Sequence, residues 1–359
     1  MSMSSPTPRP RHLLAVTALG VGALALAALP ADAQERIRWR VPIAFPSALP
    51  ALGDNMPWVA DQLMTATDGR IEFRTVEPGE MVPALELSEA VGQGQVTAGY
   101  NWLGYDQGRI PSSPLFSAVP FGMEPWEYIA WWKHGGGQEL AEDIYGKINV
   151  MPIFCGITGP ETAGWFKFPI EDLDDIEGLS IRFAGLGGQV LASLGASVSL
   201  VPGGEIYQAL ERGVIDAAEF ATPVVDQRLG FHTVAPYNLF PGWHQPFTAF
   251  HLVVNLESWD ALSAADQAMI RLGCQAGVMN NLADGEGLQG EVIAGFEDKG
   301  VTAGRIPEEV LRELREATET VLAEQAEADA DFARVYDSQQ AFSEEYRLWK
   351  TLGYLPRDF

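Results

Sequence analysis

The chain is poor in the residues that build catalytic centres. Among 359 residues it has two cysteines and five histidines. His134, His232, His244 and His251 are scattered, with no HExxH pair and no Cys–His spacing suited to zinc. No GxSxG elbow and no Walker loop occurs. The short run Gly185-Leu186-Gly187-Gly188 lies too late and is too brief for a dinucleotide fingerprint. Basic residues are scarce as well, 23 Lys+Arg against 48 Asp+Glu, a formal charge of -25. That balance excludes nucleic acid or an anionic membrane as the natural partner. Beyond residue 33 no apolar run approaches membrane-spanning length. A carboxylate pair, Glu161 with Glu219, is the one arrangement left that could serve an enzyme, in the manner of glycoside hydrolysis.

What is present begins with a secretory pattern. Arg9, Arg11 and His12 precede an apolar run, Leu13 to Leu29, and Ala31-Asp32-Ala33 forms a small-residue cleavage site. Residues 1–33 therefore read as a signal peptide. No cysteine follows the cleavage point, and Pro10 separates the two arginines, so neither lipid attachment nor a twin-arginine signal is expected. The mature chain is expected free in the periplasm. A disulfide between Cys155 and Cys274 is compatible with that compartment; two isolated thiols packed as core residues fit equally.

A mature chain of this length exceeds what one core usually supports, so two lobes are expected. IRWRVPI from Ile37 alternates as a strand, Pro50 to Thr67 has helical spacing, and Arg70 to Val76 alternates again. A helix from Pro83 to Gly92 and a strand from Val96 to Tyr100 follow. This order predicts an α/β fold with mainly parallel pairing. One segment then repeats: ELSEAVGQGQVTAGY, Glu86 to Tyr100, aligns without a gap on EIYQALERGVIDAAE, Glu205 to Glu219. Each copy reads as a helix closed by a glycine and followed by a buried strand. Ligands in open α/β sheets sit beyond the carboxyl ends of strands. The two strand ends, Tyr100 with Asn101 and Glu219 with Phe220, thus predict a clamp formed by two lobes of similar design.

The centre of that clamp is the stretch from Cys155 to Pro223. Arg182 is a lone cation in the apolar run Leu179 to Phe183, and Glu219 ends another, Val214 to Ala218. Buried charges need partners. Arg182 and Glu219 either pair with each other or bind a ligand, close to the Gly185–Gly188 turn. The aromatic segment Pro120 to Trp132 fits a cleft lining or plain core. From Glu257 to Leu348 the chain reads as mostly helical. Leu311, Leu314, Val321 and Leu322 form a stripe there, for wrapping the lobes or for docking a second subunit.

These stretches resemble the extracytoplasmic solute-binding proteins of TRAP transporters, family 7 (DctP-type), and most of all the subgroup for 2-oxo and 2-hydroxy monocarboxylates such as pyruvate and lactate. The resemblance rests on VPFGMEPWEYIAWW, CGITGPETAGWF, GLSIRFAGLGGQVL, LVPGGEIYQALERGVIDAAEF and FPGWHQP. It implies a two-lobed α/β periplasmic binding protein with a hinge and long C-terminal helices, which delivers its ligand to separate TRAP membrane permease subunits and forms a homodimer. Its lobes would be residues 34–153, completed by about 245–290, and 154–244, with a helical region at 291–359. Arg182 matches the arginine that pairs with the substrate carboxylate. Glu219 matches a carboxylate holding a metal ion that bridges to the substrate, and Phe220 stands where a tryptophan is usual, its backbone carbonyl being the ligand. His244 and Gln245 stand where the subgroup reads His-Glu. Tyr100, Asn101 and Trp165 complete the expected cleft lining, with plain core as the other reading of Trp165.

Glu161 departs from the pattern, which carries glutamine there. The extra carboxylate favours Ca²⁺ over Na⁺ as the bridging ion. The alternatives are a Glu161 that takes no part, a different organic acid as ligand, or a secreted hydrolase using Glu161 and Glu219. A ligand-sensing partner of a membrane receptor would share the same site.

Overall fold

The computed structural model describes residues 1–3 and 35–357. The expected leader therefore lies outside the described residues, its first three apart. Alternating side chains put IRWRVP into strand β1 (Ile37–Pro42), which pairs in parallel with β2 (Ile71–Val76) across helix α1 (Asn55–Ala66). The helix expected from Pro50 starts five residues later, because Ala51 adopts a left-handed φ of 55° and the chain turns there first. Helix α2 (Leu87–Gly92) then leads into β3 (Ala98–Asn101), and α3 (Pro125–His134) and α4 (Gly137–Gly146) lead into β4 (Val150–Thr158). The aromatic segment is core: Tyr128, Trp131 and Trp132 are buried, and Trp126 alone of the four stands half-exposed.

Short elements follow: β5 (Gly164–Phe166), β6 (Ser180–Arg182), α5 (Gly185–Ser193), β7 (Ser197–Ser199), α6 (Gly203–Glu211), β8 (Ala217–Ala218), α7 (Pro223–Arg228) and β9 (Tyr237–Phe240). Strand β10 (Thr248–Asn255) crosses back and inserts between β3 and β4, antiparallel to both. Pairing is thus mixed rather than mainly parallel, since β10 arrives directly from the other sheet and not through a helical crossover. Helices α8 (Leu256–Asp260), α9 (Ala264–Gly287) and α10 (Gln289–Ala294) precede β11 (Thr302–Arg305). That strand is the one β element in the C-terminal region expected to be mostly helical, among the described residues. It joins the edge of a six-stranded sheet ordered β11-β9-β5-β8-β6-β7. Helices α11 (Glu308–Ala328) and α12 (Ala330–Gly353) end the chain.

The repeated segment folds as two equivalent turns. Gly94 and Gly213 both take a left-handed φ, +70° and +71°. Gly94 N–H donates to Val91 O and Gln95 N–H to Ala90 O, while Gly213 donates to Leu210 O and Val214 to Ala209 O. Each turn satisfies the last carbonyls of its helix and points the chain into the sheet.

Residues Arg36–Phe359 form one compact unit with two apolar cores. One lies around β3, β10 and β4, the other on the six-stranded sheet. The α11 stripe, with Val310, Leu314 and Val321, seals the second core, and Phe332 and Val335 of α12 join the first. The helical tail therefore straps both. Cys155 in β4 and Cys274 in α9 form a disulfide, which decides between the two readings the sequence left open.

Candidate functional site

Four ionisable side chains converge where the two sheets face each other. Arg182 ends β6, and Glu219 follows the two-residue strand β8, which lies beside β6 in parallel. The Arg182 Nη1 donates to the Glu219 backbone oxygen at 2.6 Å and to its Oε2 at 2.8 Å, and the Nε donates to Val201 O. The Ala184 N–H adds a second donor to Oε2. Both side chains are at most 2% exposed. The two expected partners are therefore bonded to each other and also form part of the wall of a cavity.

Glu161 enters from the segment after β4, and His244 and Gln245 from the segment before β10. Thr248 Oγ1 donates to Glu161 Oε1 at 2.6 Å and accepts from Gln245 Nε2. The His244 Nε2 lies 3.6 Å from Glu219 Oε1 and 3.8 Å from Glu161 Oε2. Glu161 Oε2 and both His244 nitrogens have no hydrogen-bond partner in the protein. Buried polar atoms without partners are rare and costly. Three lone-pair atoms, one each from Glu161, Glu219 and His244, lie within 4.8 Å of one another. That donor set fits a bound cation, which would satisfy atoms the protein leaves bare.

The electrostatics follow from burial. Removal from water, and then the nearby charge of Glu219, push Glu161 up to about 7 despite His244 and Thr248. Burial also opposes the charge of Glu219, but Arg182 and His244 outweigh it and hold its pKa below the usual carboxylate value. For His244, burial opposes protonation, and the two carboxylates overcome it and raise its pKa.

The rest of the cavity wall is aromatic and apolar: Phe45, Leu52, Trp102, Tyr105, Phe220 and Phe250. The Phe220 ring lies beneath the Arg182 guanidinium, 5.3 Å from it. Burial drives the Tyr105 phenol up to about 12, so it stays neutral. Of the residues expected from sequence, the fold brings together Arg182, Glu161, Glu219, Phe220, His244 and Gln245. It does not bring Tyr100, Asn101 or Trp165 to the wall. The Tyr100 hydroxyl accepts from Asn55 Nδ2, Asn101 Nδ2 donates to Ser88, and Trp165 Nε1 donates to Asp226, all three in the core. Strand β3 runs on through Asn101, paired with β10, so its last side chains stay buried. The wall is supplied instead by Trp102 and Tyr105, just past the strand end.

The sequence matches the bacterial extracellular solute-binding proteins of family 7 over residues 53–329. The chain belongs to this family, the solute-binding components of TRAP transporters. It is 33% identical, over 89% of its length and 87% of the relative's, to a monocarboxylate 2-oxoacid-binding periplasmic protein of Nostoc sp. (strain PCC 7120). It also superposes on a TRAP solute-binding protein from Bordetella bronchiseptica RB50, a dimer with calcium and picolinate in one site, with a TM-score of 0.87 and 30% identity over 89% of this chain and 96% of that one. A third relative, from Colwellia psychrerythraea and holding calcium and pyruvate, gives 0.85 and 31% over 89% and 97%. The protein from Pseudoalteromonas atlantica T6c, holding sodium and pyruvate, gives 0.84 and 32% over 88% and 96%. The family and the fold are those of transport binding proteins, and family members work with membrane permeases on small organic acids.

Proposed function

We propose that this protein is a periplasmic receptor that binds a small 2-oxo or 2-hydroxy monocarboxylate through a bridging cation and delivers it to TRAP permease subunits. The observation that carries the reading is the meeting of Arg182 with Glu161, Glu219 and His244 in one buried cluster, where Glu161 Oε2 and both His244 nitrogens have no partner among the described residues. Arg182 anchors the carboxylate with the guanidinium N–H groups that Glu219 and Val201 leave free. Glu161 and Glu219, with the Phe220 carbonyl, hold the cation, and Gln245 braces Glu161 through Thr248. With the cation in place, Glu161 ionised and His244 neutral, a bound carboxylate brings the site to three negative charges against one from Arg182. A divalent ion removes the excess, whereas a monovalent ion leaves one charge uncompensated in a poorly solvated place. Ca²⁺ is therefore favoured over Na⁺. Relatives that bind pyruvate with either ion support the class of ligand.

The cavity between these side chains is small, ≈ 20 Å³, and its wall is drawn from both halves. Entry therefore requires the two halves to part, and residues 34–153 with about 245–290 act as one lobe against 154–244. A leader at 1–33 places the mature chain in the periplasm. The end of α12 exposes Leu348, Trp349 and Leu352, with Leu355 beyond it. This apolar edge fits a homodimer contact, which equilibrium sedimentation would show as twice the monomer mass.

The test is calorimetry on chelator-stripped protein, with pyruvate and lactate titrated in Ca²⁺, in Na⁺ and in neither. Binding should appear with Ca²⁺, and Glu161→Gln should shift the requirement towards Na⁺. Binding indifferent to cation would remove the bridging ion and leave the Arg182 anchor. Turnover of a glycoside, abolished by Glu161→Gln or Glu219→Gln, would replace the receptor with a hydrolase.

A further inference from the structure

Trp102 is the first residue after β3. It is 4% exposed, and its indole forms part of the cavity wall. Its Nε1–H has no acceptor among the described residues. An indole N–H that is buried normally finds a partner, because a bare donor forfeits its bonds to water. The ring is also held in place. A Cβ at Gly104 would lie 2.1 Å from the indole Cη2, and one at Gly185 3.0 Å from the same atom. The Tyr105 ring meets it edge-on at 5.0 Å between centroids. Glycine at 104 and 185 thus makes the seat, and the indole cannot easily swing away to satisfy its donor elsewhere.

That seat joins the two halves. Trp102 follows β3 of the three-stranded sheet, while Gly185 opens α5 two residues after the strand that ends in Arg182. What approaches the glycine turn at 185 is this indole. A donor that is fixed, buried and unpaired, on the wall of a cavity that holds Arg182, lacks one thing: an acceptor carried by the ligand.

We propose that Trp102 reads the ligand, its Nε1–H donating to an oxygen of the bound 2-oxo or 2-hydroxy acid from the half opposite Arg182. The inference rests on the carboxylate-receptor reading. It adds a contact by which the half without the arginine senses that the site is filled, and it limits the ligand to acids whose oxygens reach across the cavity.

The experiment uses the whole mature protein with ¹⁵N-labelled indoles, of which the chain has ten. Trp102→Phe assigns the Trp102 resonance by its loss and keeps a ring in the seat. Pyruvate with Ca²⁺ should move the wild-type Trp102 N–H resonance strongly downfield. Trp102→Phe should weaken pyruvate binding by about tenfold to a hundredfold, the range for a hydrogen bond to a charged group. The melting temperature of the ligand-free protein and its affinity for Ca²⁺ alone should hardly change. An unmoved resonance in a wild type that binds pyruvate would overturn the proposal, as would unchanged affinity in Trp102→Phe. Equal losses in ligand-free stability and in affinity, with the resonance still, would reduce Trp102 to a packing residue. A wild type that binds no 2-oxo or 2-hydroxy acid with any cation would overturn the receptor reading itself, and this inference with it.

Discussion

The two copies of the repeated segment start alike and end differently. Both close a helix on a left-handed glycine with the same pair of hydrogen bonds, at Gly94 and at Gly213. After Gly213 the strand lasts two residues, and Glu219 and Phe220 emerge past its end into the cavity. After Gly94 the strand runs through Asn101, because β10 pairs with it: Leu252 stands opposite Tyr100 and His251 opposite Asn101. The corresponding side chains, Tyr100 and Asn101, therefore remain in the core, and Trp102 and Tyr105 line the cavity instead. A local motif sets where a strand begins. Its neighbour in the sheet sets where it ends, and hence which side chains reach the ligand.

The comparison can be tested hardest at the short strand. Arg182→Ala leaves the Glu219 carboxylate buried without its partner, and breaking such a pair costs about 3–5 kcal/mol. Denaturant titration should show that loss, and calorimetry should show pyruvate binding falling below detection. A variant that kept its affinity would move the ligand away from the second copy altogether.

The three-stranded sheet that holds the first copy is stapled to α9 by Cys155–Cys274, which closes a loop over a sequence separation of 119. By chain entropy such a cross-link is worth about 4–5 kcal/mol. The double variant Cys155→Ala/Cys274→Ala should lose that order of stability in urea and still bind ligand, because neither cysteine reaches the cavity. Lost affinity at full occupancy of the fold would show that the staple also shapes the site.

His251, beside Asn101 in the sheet, is buried between Trp132 and Phe154 with both nitrogens bare. Burial pushes its pKa from 6.5 down to about 3. The folded state thus keeps His251 neutral while the unfolded chain takes up a proton below about 6.5. Its contribution is intact above that pH and is lost as pH falls towards 3, by about 2 kcal/mol between pH 6.5 and 5. Urea melts across that range should flatten in His251→Phe relative to wild type. An unchanged slope would assign the acid sensitivity to other groups.

The smallest effect is expected at the end of the long strand. Tyr100→Phe removes the acceptor of Asn55 Nδ2, which also bonds Cys155 O, and should cost about 1 kcal/mol. Pyruvate affinity should stay at the wild-type value. A tenfold loss of affinity would put Tyr100 back on the ligand and equalise the two copies.

Much of the site was legible because its chemistry is written in isolated charges. Arg182 and Glu219 stand out as single charged residues in apolar runs, and Glu161, His244 and Gln245 lie in segments whose resemblance is specific. The apolar wall was not legible. Phe45, Leu52 and Phe250 look like any core residues, and only their position opposite Arg182 sets them apart. Leu52 reaches the cavity because α1 starts late, after the left-handed turn at Ala51. Trp102 and Tyr105 were hidden by two residues of strand.

By itself the sequence determined the family, the two equivalent helix–glycine–strand turns and the charged residues at the centre, since these depend on residue type and on spacing along the chain. The tertiary structure alone decided the disulfide, the antiparallel insertion of β10, and with it the exchange of Tyr100 and Asn101 for Trp102 and Tyr105. These depend on residues 90 or more positions apart. The free energy that selects them, burial of apolar surface and completion of a hydrogen-bonded ladder, is gained only when those distant segments meet.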